Sequence, residues 1–165
     1  MHRFFVQKFF LASTAARRDN HTDPLNMQVI DLDPILLSNL KGKTAVVTGA
    51  AGGIGAEIVR LFSKHGVNVV LADLEYGRLV AEGIIALLTE QSKALFVPAN
   101  TLDWTQMKHR FKESIGTFSR LDIVVTNAGL MESKPTLDIE TLDDNGELHE
   151  ATEASKAINV NVKGL

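Results

Sequence analysis

The chain of 165 residues has no cysteine. Disulfides, thiolate nucleophiles and thiolate metal sites are excluded with it. It carries one tryptophan and one tyrosine, Tyr76, so no phenol is available after that position. No apolar run approaches the ~20 residues that a membrane-spanning helix needs, and there is no internal repeat. Neither sign of charge dominates. A net charge of −3 gives no reason to expect nucleic acid or an anionic membrane as a partner. The five histidines are scattered without ligand spacing, and the acidic stretch Asp138 to Glu153 lacks a calcium-loop pattern, so no metal site is expected.

What is present is ordinary for one globular domain: 45% apolar and 22% charged residues. The informative stretch is Thr44 to Gly55, where a short apolar run enters a glycine-rich turn that opens into a helix. Pyrophosphate must approach bare backbone closely, so side chains are unwelcome in such a turn. Gly49 suits the tight turn after the strand, while Gly53 and Gly55 let the helix start near both phosphate and sheet. The free N–H groups and positive end of the helix then hold the anion. Ile54, Ile58, Leu61 and Phe62 fall at helical spacing, which predicts a buried stripe. Lys64 and His65 suit the last turn, and Gly66 suits the position just past it. The next buried strand, Val67 to Asp73, ends in an acid 18 residues beyond Gly55. At that spacing a carboxylate meets the adenosine ribose hydroxyls. It would repel a 2′-phosphate, so NAD is expected over NADP.

With these residues in view, the chain resembles the short-chain dehydrogenase/reductase family. Thr48 to Gly55 matches its TGxxxGIG motif. Asn127-Ala128-Gly129 follows the strand Ile123 to Thr126 as the family's NAG. Val160-Asn161-Val162-Lys163-Gly164 matches its V-N-x-x-G. The likeness covers about Lys41 to Leu165. It implies cofactor-binding roles for Thr48, Gly49, Gly53, Ile54, Gly55, Asp73, Asn127, Ala128 and Gly129. It implies that Asn161, rather than the nearby Asn159, holds a water in a proton relay. Asn100 stands where the family commonly has an adenine-binding aspartate, with Asp103 slightly late. The implied reaction is hydride transfer between a nicotinamide dinucleotide and a small-molecule secondary alcohol or ketone. Homo-oligomers are the family habit, though the interface built partly from the helix after Asn161 is not expected to form fully here.

Family chemistry also uses a serine and a Tyr-x-x-x-Lys pair. The residue four beyond Tyr76 is Val80, so Tyr76 is not that tyrosine. In the family these groups would lie some tens of residues past Leu165. A truncated product of a dehydrogenase gene and a short non-catalytic nucleotide-binding module are the two explanations. A methyltransferase shares the glycine turn and the acid, but not the other two motifs.

Residues 1–40 stand outside the βαβ pattern as an N-terminal extension, and 41–165 form a partial Rossmann domain. Met1 to Arg18 is basic and rich in phenylalanine; the expectation is a start at Met27 in a cytoplasmic protein, with a mitochondrial presequence, which that composition suits, as the alternative. Asp31 to Leu40 should pack beside the first strand. Further helices are expected over about Gly77 to Glu90, burying Val80, Ile84, Leu87 and Leu88, and over Trp104 to Ile115, burying Trp104, Met107, Phe111 and Ile115. A strand is expected at Ala94 to Val97. The fold class is α/β, a Rossmann-like doubly wound parallel sheet cut after about four strands in the order 3-2-1-4. The fourth strand should form an open edge prone to self-association.

Overall fold

The computed structural model describes residues 5–6, 37–88, 92–133, 142, 145–148 and 152–164. The chain alternates strand and helix. A two-residue strand β1 (Phe5–Val6) is followed by β2 (Thr44–Thr48), helix α1 (Gly53–Lys64) and β3 (Asn68–Asp73). A 3-10 turn (Glu75–Gly77) leads into α2 (Arg78–Ala86), then β4 (Ala94–Pro98), α3 (Trp104–Phe118) and β5 (Ile123–Val125). The last elements are α4 (Thr152–Ile158) and a π-helical turn over Asn159–Lys163.

All pairing is parallel. Val46 sits opposite Val70 in β3 and Val124 in β5, and Leu71 opposite Phe96 in β4. The order β4-β3-β2-β5 is the expected 3-2-1-4. The expected open edge is not observed: Phe5 and Val6 pair with Ile123 and Val124 on the outer side of β5. The remaining N-terminal residues to 36, and with them most of the targeting-segment reading, lie outside the described residues. Leu40 packs against the core as anticipated.

Side chains alternate across the strands and build two cores. Ala45, Val47, Val69 and Leu71 meet Ala56 and Val59 of α1 and Ala81 and Ile84 of α2 on one face. Val46, Val70, Ala72 and Val97 pack with Phe118 and Leu121 on the other. Each fully buried Val or Leu stabilises by roughly 1.5–3 kcal/mol. Helices α1 and α2 lie on one face because they make successive crossovers outward from β2. Helix α3 carries the chain back past β2, so it lies on the other face. The strand order therefore reverses between β2 and β5, the position where open α/β sheets bind ligands.

Three helix faces differ from expectation. In α1 the buried residues are Gly55, Ala56, Val59 and Ser63, while Ile54 and Leu61 are about half exposed. Small residues face the sheet because the helix start must come close to it. In α2, Ala81 and Ile84 are buried, but Val80 and Leu87 are exposed. That helix also begins one residue later than expected, because residues 75–77 form the tighter 3-10 turn. In α3 only Met107 of the expected stripe is buried. Arg110 and Ser114 complete the inward face, and Trp104 and Ile115 are exposed.

Candidate functional site

The site begins at the C-terminal end of β2. Gly49 has φ +64° and Gly53 has φ +52°, both in the left-handed region that favours glycine. Gly55 is fixed by space instead: a Cβ there would lie 2.1 Å from the carbonyl oxygen of Gly49. Helix α1 has no side-chain cap and no acid in its first turn. Its first intrahelical bond runs from the N–H of Ala56 to the carbonyl of Gly52, at 3.2 Å. The N–H groups of Gly53 to Gly55 are thus left at the positive end of the helix, as helix geometry requires.

The turn is braced from β5. The Thr48 hydroxyl accepts from the N–H groups of Asn127 (3.0 Å) and Ala128 (2.9 Å). The Asn127 amide donates to the carbonyls of Thr48 (3.0 Å) and Gly49 (3.3 Å). A Cβ on Gly49 would press on Ala128 at 2.9 Å. Thr48 and Asn127 therefore stand behind the turn and set its shape.

On the other side, Asp73 ends β3. One carboxylate oxygen accepts from the Ala51 N–H at 2.8 Å and the other from the Leu74 N–H at 2.7 Å. Gly77 lies buried against this pair; a Cβ there would come within 2.9 Å of Ala51 Cβ and 3.5 Å of the Asp73 carboxyl carbon. These contacts hold the carboxylate at the rim of a cleft of about 710 Å³. Gly49, Gly52, Asp73, Asn100, Ala128 and Gly129 all contribute to its walls.

Asn100 is already partly committed. Its side-chain oxygen accepts from the Leu102 N–H at 3.0 Å, closing the turn before α3. Asp103 is the N-cap of α3, accepting from the N–H groups of Thr105 (2.8 Å) and Gln106 (3.1 Å). The hydrogen bonds from Gln106 and Thr105 hold its carboxyl below the ordinary aspartate range despite the opposing effect of burial.

Asn161 sits in the π-helical turn and does not line the cleft; Lys156 and Val160 on the same segment do. Its side chain pairs with the backbone of Leu130, and Gly129 leaves it room, since a Cβ there would meet the Asn161 side-chain oxygen at 3.1 Å. Gly53, Ile54 and Gly55 follow directly on Ala51 and Gly52, which line the cleft. Gly53 and Ile54 line a second groove with Leu61, Val80 and Ile84.

The sequence reading missed Tyr76, Lys156 and Leu102 as cleft residues. Proximity to Asp73 was a signal for Tyr76. None existed for Lys156, which the fold brings from a distant helix. Among the described residues no group of three or more acidic or imidazole side chains could hold a metal, and no helix is long and apolar enough to cross a membrane.

Comparison with known proteins agrees with this geometry. The short chain dehydrogenase family matches residues 43–165. "Short-chain dehydrogenase reductase 4" of Arabidopsis thaliana is 39% identical over 109 residues, covering 63% of this chain and 35% of the relative. Secoisolariciresinol dehydrogenase of Forsythia intermedia is 30% identical over 128 residues, covering 76% and 42%. Among solved structures, a 3-ketoacyl-(acyl-carrier-protein) reductase from Brucella melitensis complexed with NADH superposes with a TM-score of 0.60 at 27% identity, over 76% of this chain and 46% of that one. A blue fluorescent protein from a metagenomic library, in complex with NADPH, gives a TM-score of 0.61 at 26% identity over 76% and 48%. The chain thus spans less than half the length of each of these relatives. Its Rossmann-like sheet, its glycine turn and the family match over residues 43–165 make it a member of the short-chain dehydrogenase/reductase family.

Proposed function

We propose that these residues form the cofactor-holding part of an oxidoreductase that uses a nicotinamide dinucleotide, with NAD preferred over NADP. The observation that carries this reading is the Asp73 carboxylate, fixed by Ala51 and Leu74 at the rim of the cleft beside the glycine turn. The residues fit the group. A Cβ on Gly52 or Gly53 would meet nothing within 4 Å, so the turn offers open, bare backbone to a pyrophosphate, while Gly55 lets the helix start pack tightly on Gly49. The N–H groups of Gly53, Ile54 and Gly55 take its charge. Asp73 accepts from the ribose 2′- and 3′-hydroxyls. Asn127 and Thr48 keep the turn in shape, Ala128 and Gly129 wall the cleft, and Asn100 stands at its far end.

When bound, the dinucleotide supplies a hydride acceptor or donor for a small-molecule secondary alcohol or ketone. The Asn161 side chain spends its groups on Leu130 and so positions the Gly129 bend; the relay role comes from the family likeness. No Tyr-x-x-x-Lys pair occurs within the 165 residues, and Tyr76 is 83% exposed with no lysine four positions on. These residues by themselves can hold a nucleotide, so a module that binds nucleotide without turnover is the second reading.

Titration with NAD and NADP tests the proposal. Two like unit charges at ~4 Å repel by about 1 to 4 kcal/mol at effective dielectrics from water to a protein surface. NAD should therefore bind more tightly, and Asp73→Asn should narrow the gap. Equal affinity of the unmodified chain for both dinucleotides would defeat the preference. NADH production abolished by Asn161→Ala would overturn the reading without turnover.

A further inference from the structure

The exposed ring of Tyr76 has no use in the account above, yet it faces the same cleft. It belongs to the 3-10 turn that follows Asp73 and is 83% exposed. Its backbone is nonetheless braced on both sides. Gly77 is buried against Ala51, and its N–H donates to the Leu74 carbonyl at 2.9 Å. Glu75 is tied to Arg78 through two hydrogen bonds, and the Arg78 guanidinium lies 4.8 Å from the centre of the Phe96 ring. A large ring is thus held in the open on a turn tied down by Gly77 and by the Glu75–Arg78 pair.

The cleft offers this ring a counterpart. Leu102, 47% exposed, and Thr101 line it from the loop before α3. An aromatic and an aliphatic side chain thus line one cleft, a lining that suits the face of a flat heterocycle. The sugar geometry says which one. A ribose whose 2′- and 3′-hydroxyls sit on Asp73 carries its base on the neighbouring C1′ atom, one ring-width away. With the phosphates at the glycine turn, the base points away from it, toward Tyr76 and residues 100–102.

We propose that Tyr76 is a positioning residue that stacks on the adenine base of the dinucleotide. The inference rests on the dinucleotide reading above and deepens it. A purine face on a phenol ring gains dispersion contact and loses apolar exposure on both partners. Tyr76 then fixes the adenosine end, while the hydroxyl of the phenol is dispensable.

The test compares the full chain with Tyr76→Phe and Tyr76→Ala, using NAD, ADP-ribose and nicotinamide mononucleotide as probes. Alanine should weaken NAD and ADP-ribose by about ten-fold, within the range of base–aromatic stacking. Phenylalanine should leave both unchanged, and the mononucleotide should respond to neither variant. In NMR spectra the adenine protons should move upfield on binding through the ring current, an effect kept by phenylalanine and lost with alanine. Because the ring is exposed, both variants should melt with the parent, which removes misfolding as an explanation. Binding of NAD by Tyr76→Ala within two-fold of the parent would overturn the stacking and leave the dinucleotide reading intact. Failure of the parent chain to bind NAD or ADP-ribose would overturn the reading and the inference together.

Discussion

Asn161 and Leu130, 31 residues apart, hold each other in both directions. The Leu130 N–H donates to the Asn161 side-chain oxygen at 2.8 Å, and the Asn161 amide nitrogen donates to the Leu130 carbonyl at 2.8 Å. The pair reproduces, with one side chain, the reciprocal bonding of two strands. It joins the π-helical turn to the loop after Gly129, so two of the three family motifs meet through these atoms.

Removing the pair should be measurable. Asn161→Ala leaves a backbone donor and acceptor without partners, and about 1 to 2 kcal/mol of stability should go with them. Asn161→Asp keeps the acceptor and loses the donor, so it should fall between. Urea unfolding distinguishes the three proteins. Coincident curves would mean that water replaces the pair without loss.

Arg110 should respond in the opposite direction. Its side chain is fully buried, and among the described residues none of its three guanidinium nitrogens has a hydrogen-bond partner. Its guanidinium carbon lies 5.0 Å from the centre of the Phe111 ring. Burial lowers its pKa to about 10. The folded chain therefore releases this proton before the unfolded chain does. The penalty is complete below about 10 and shrinks as pH rises above it toward the range of a free guanidinium. Arg110→Met keeps most of the volume and removes the charge, and should stabilise the protein by about 1 to 4 kcal/mol. A lower midpoint in urea for the methionine variant would refute this.

Asp122 predicts the acid limb. It accepts from both arms of Arg120 and from the Thr44 N–H at 2.8 Å, while its own N–H donates to the Thr44 carbonyl at 2.9 Å. It thereby ties the start of β5 to the start of β2. Arg120 first, and then the Thr44 N–H, hold its carboxyl below the ordinary aspartate range against the opposing effect of burial. A lowered carboxyl gives stability that is present above 3.8 and lost as pH falls through the folded-state value. Asp122→Asn should cost about 1 kcal/mol at pH 7 and flatten the decline below pH 4. Thermal melts from pH 7 down to pH 3 would show it. Parallel declines in both proteins would assign the acid limb elsewhere.

Two glycines in the turn should behave differently. Gly55→Ala would place a methyl 2.1 Å from the Gly49 oxygen, whereas a Cβ at Gly52 meets nothing within 4 Å. Gly52 also has φ −169°, an extended backbone open to any residue. Gly55→Ala should lose at least the 1 to 3 kcal/mol typical of overpacking, and Gly52→Ala almost none. Similar melting temperatures for the two variants would contradict the geometry.

The strands were legible because β-branched runs such as Val69-Val70-Leu71 are long enough to read and end at glycine or an acid. The motif glycines were legible because the tight strand-to-helix turn needs left-handed backbone at Gly49 and Gly53 and has no space for a Cβ at Gly55. Helix faces were not. Spacing put Ile54 and Leu61 inside α1, but the sheet is approached by Gly55, Ala56 and Ser63, whose smallness carries no hydropathy signal. Arg110 turns inward where a stripe through Trp104 and Ile115 was expected, because charge argues for the surface and the sequence holds no sign of the exception. The Thr44–Asp122 tie and the Ala51–Asp73 bond were hidden as well. Each joins residues that only the fold brings near.

The Thr48–Asn127 brace also has a history in time. Those residues are 79 positions apart, whereas the register of β2 on β3 joins partners such as Thr44 and Asn68. A chain closes short loops more readily than long ones. The unit from β2 through α1 to β3 can consequently assemble while β5 is still unpaired, and the glycine turn acquires its final shape only when Asn127 arrives. The shape proposed to hold a phosphate is then among the last features that the folding chain gains. In pulsed hydrogen exchange during refolding, the amides of Asn127 and Ala128 should become protected later than those of Val69 to Leu71.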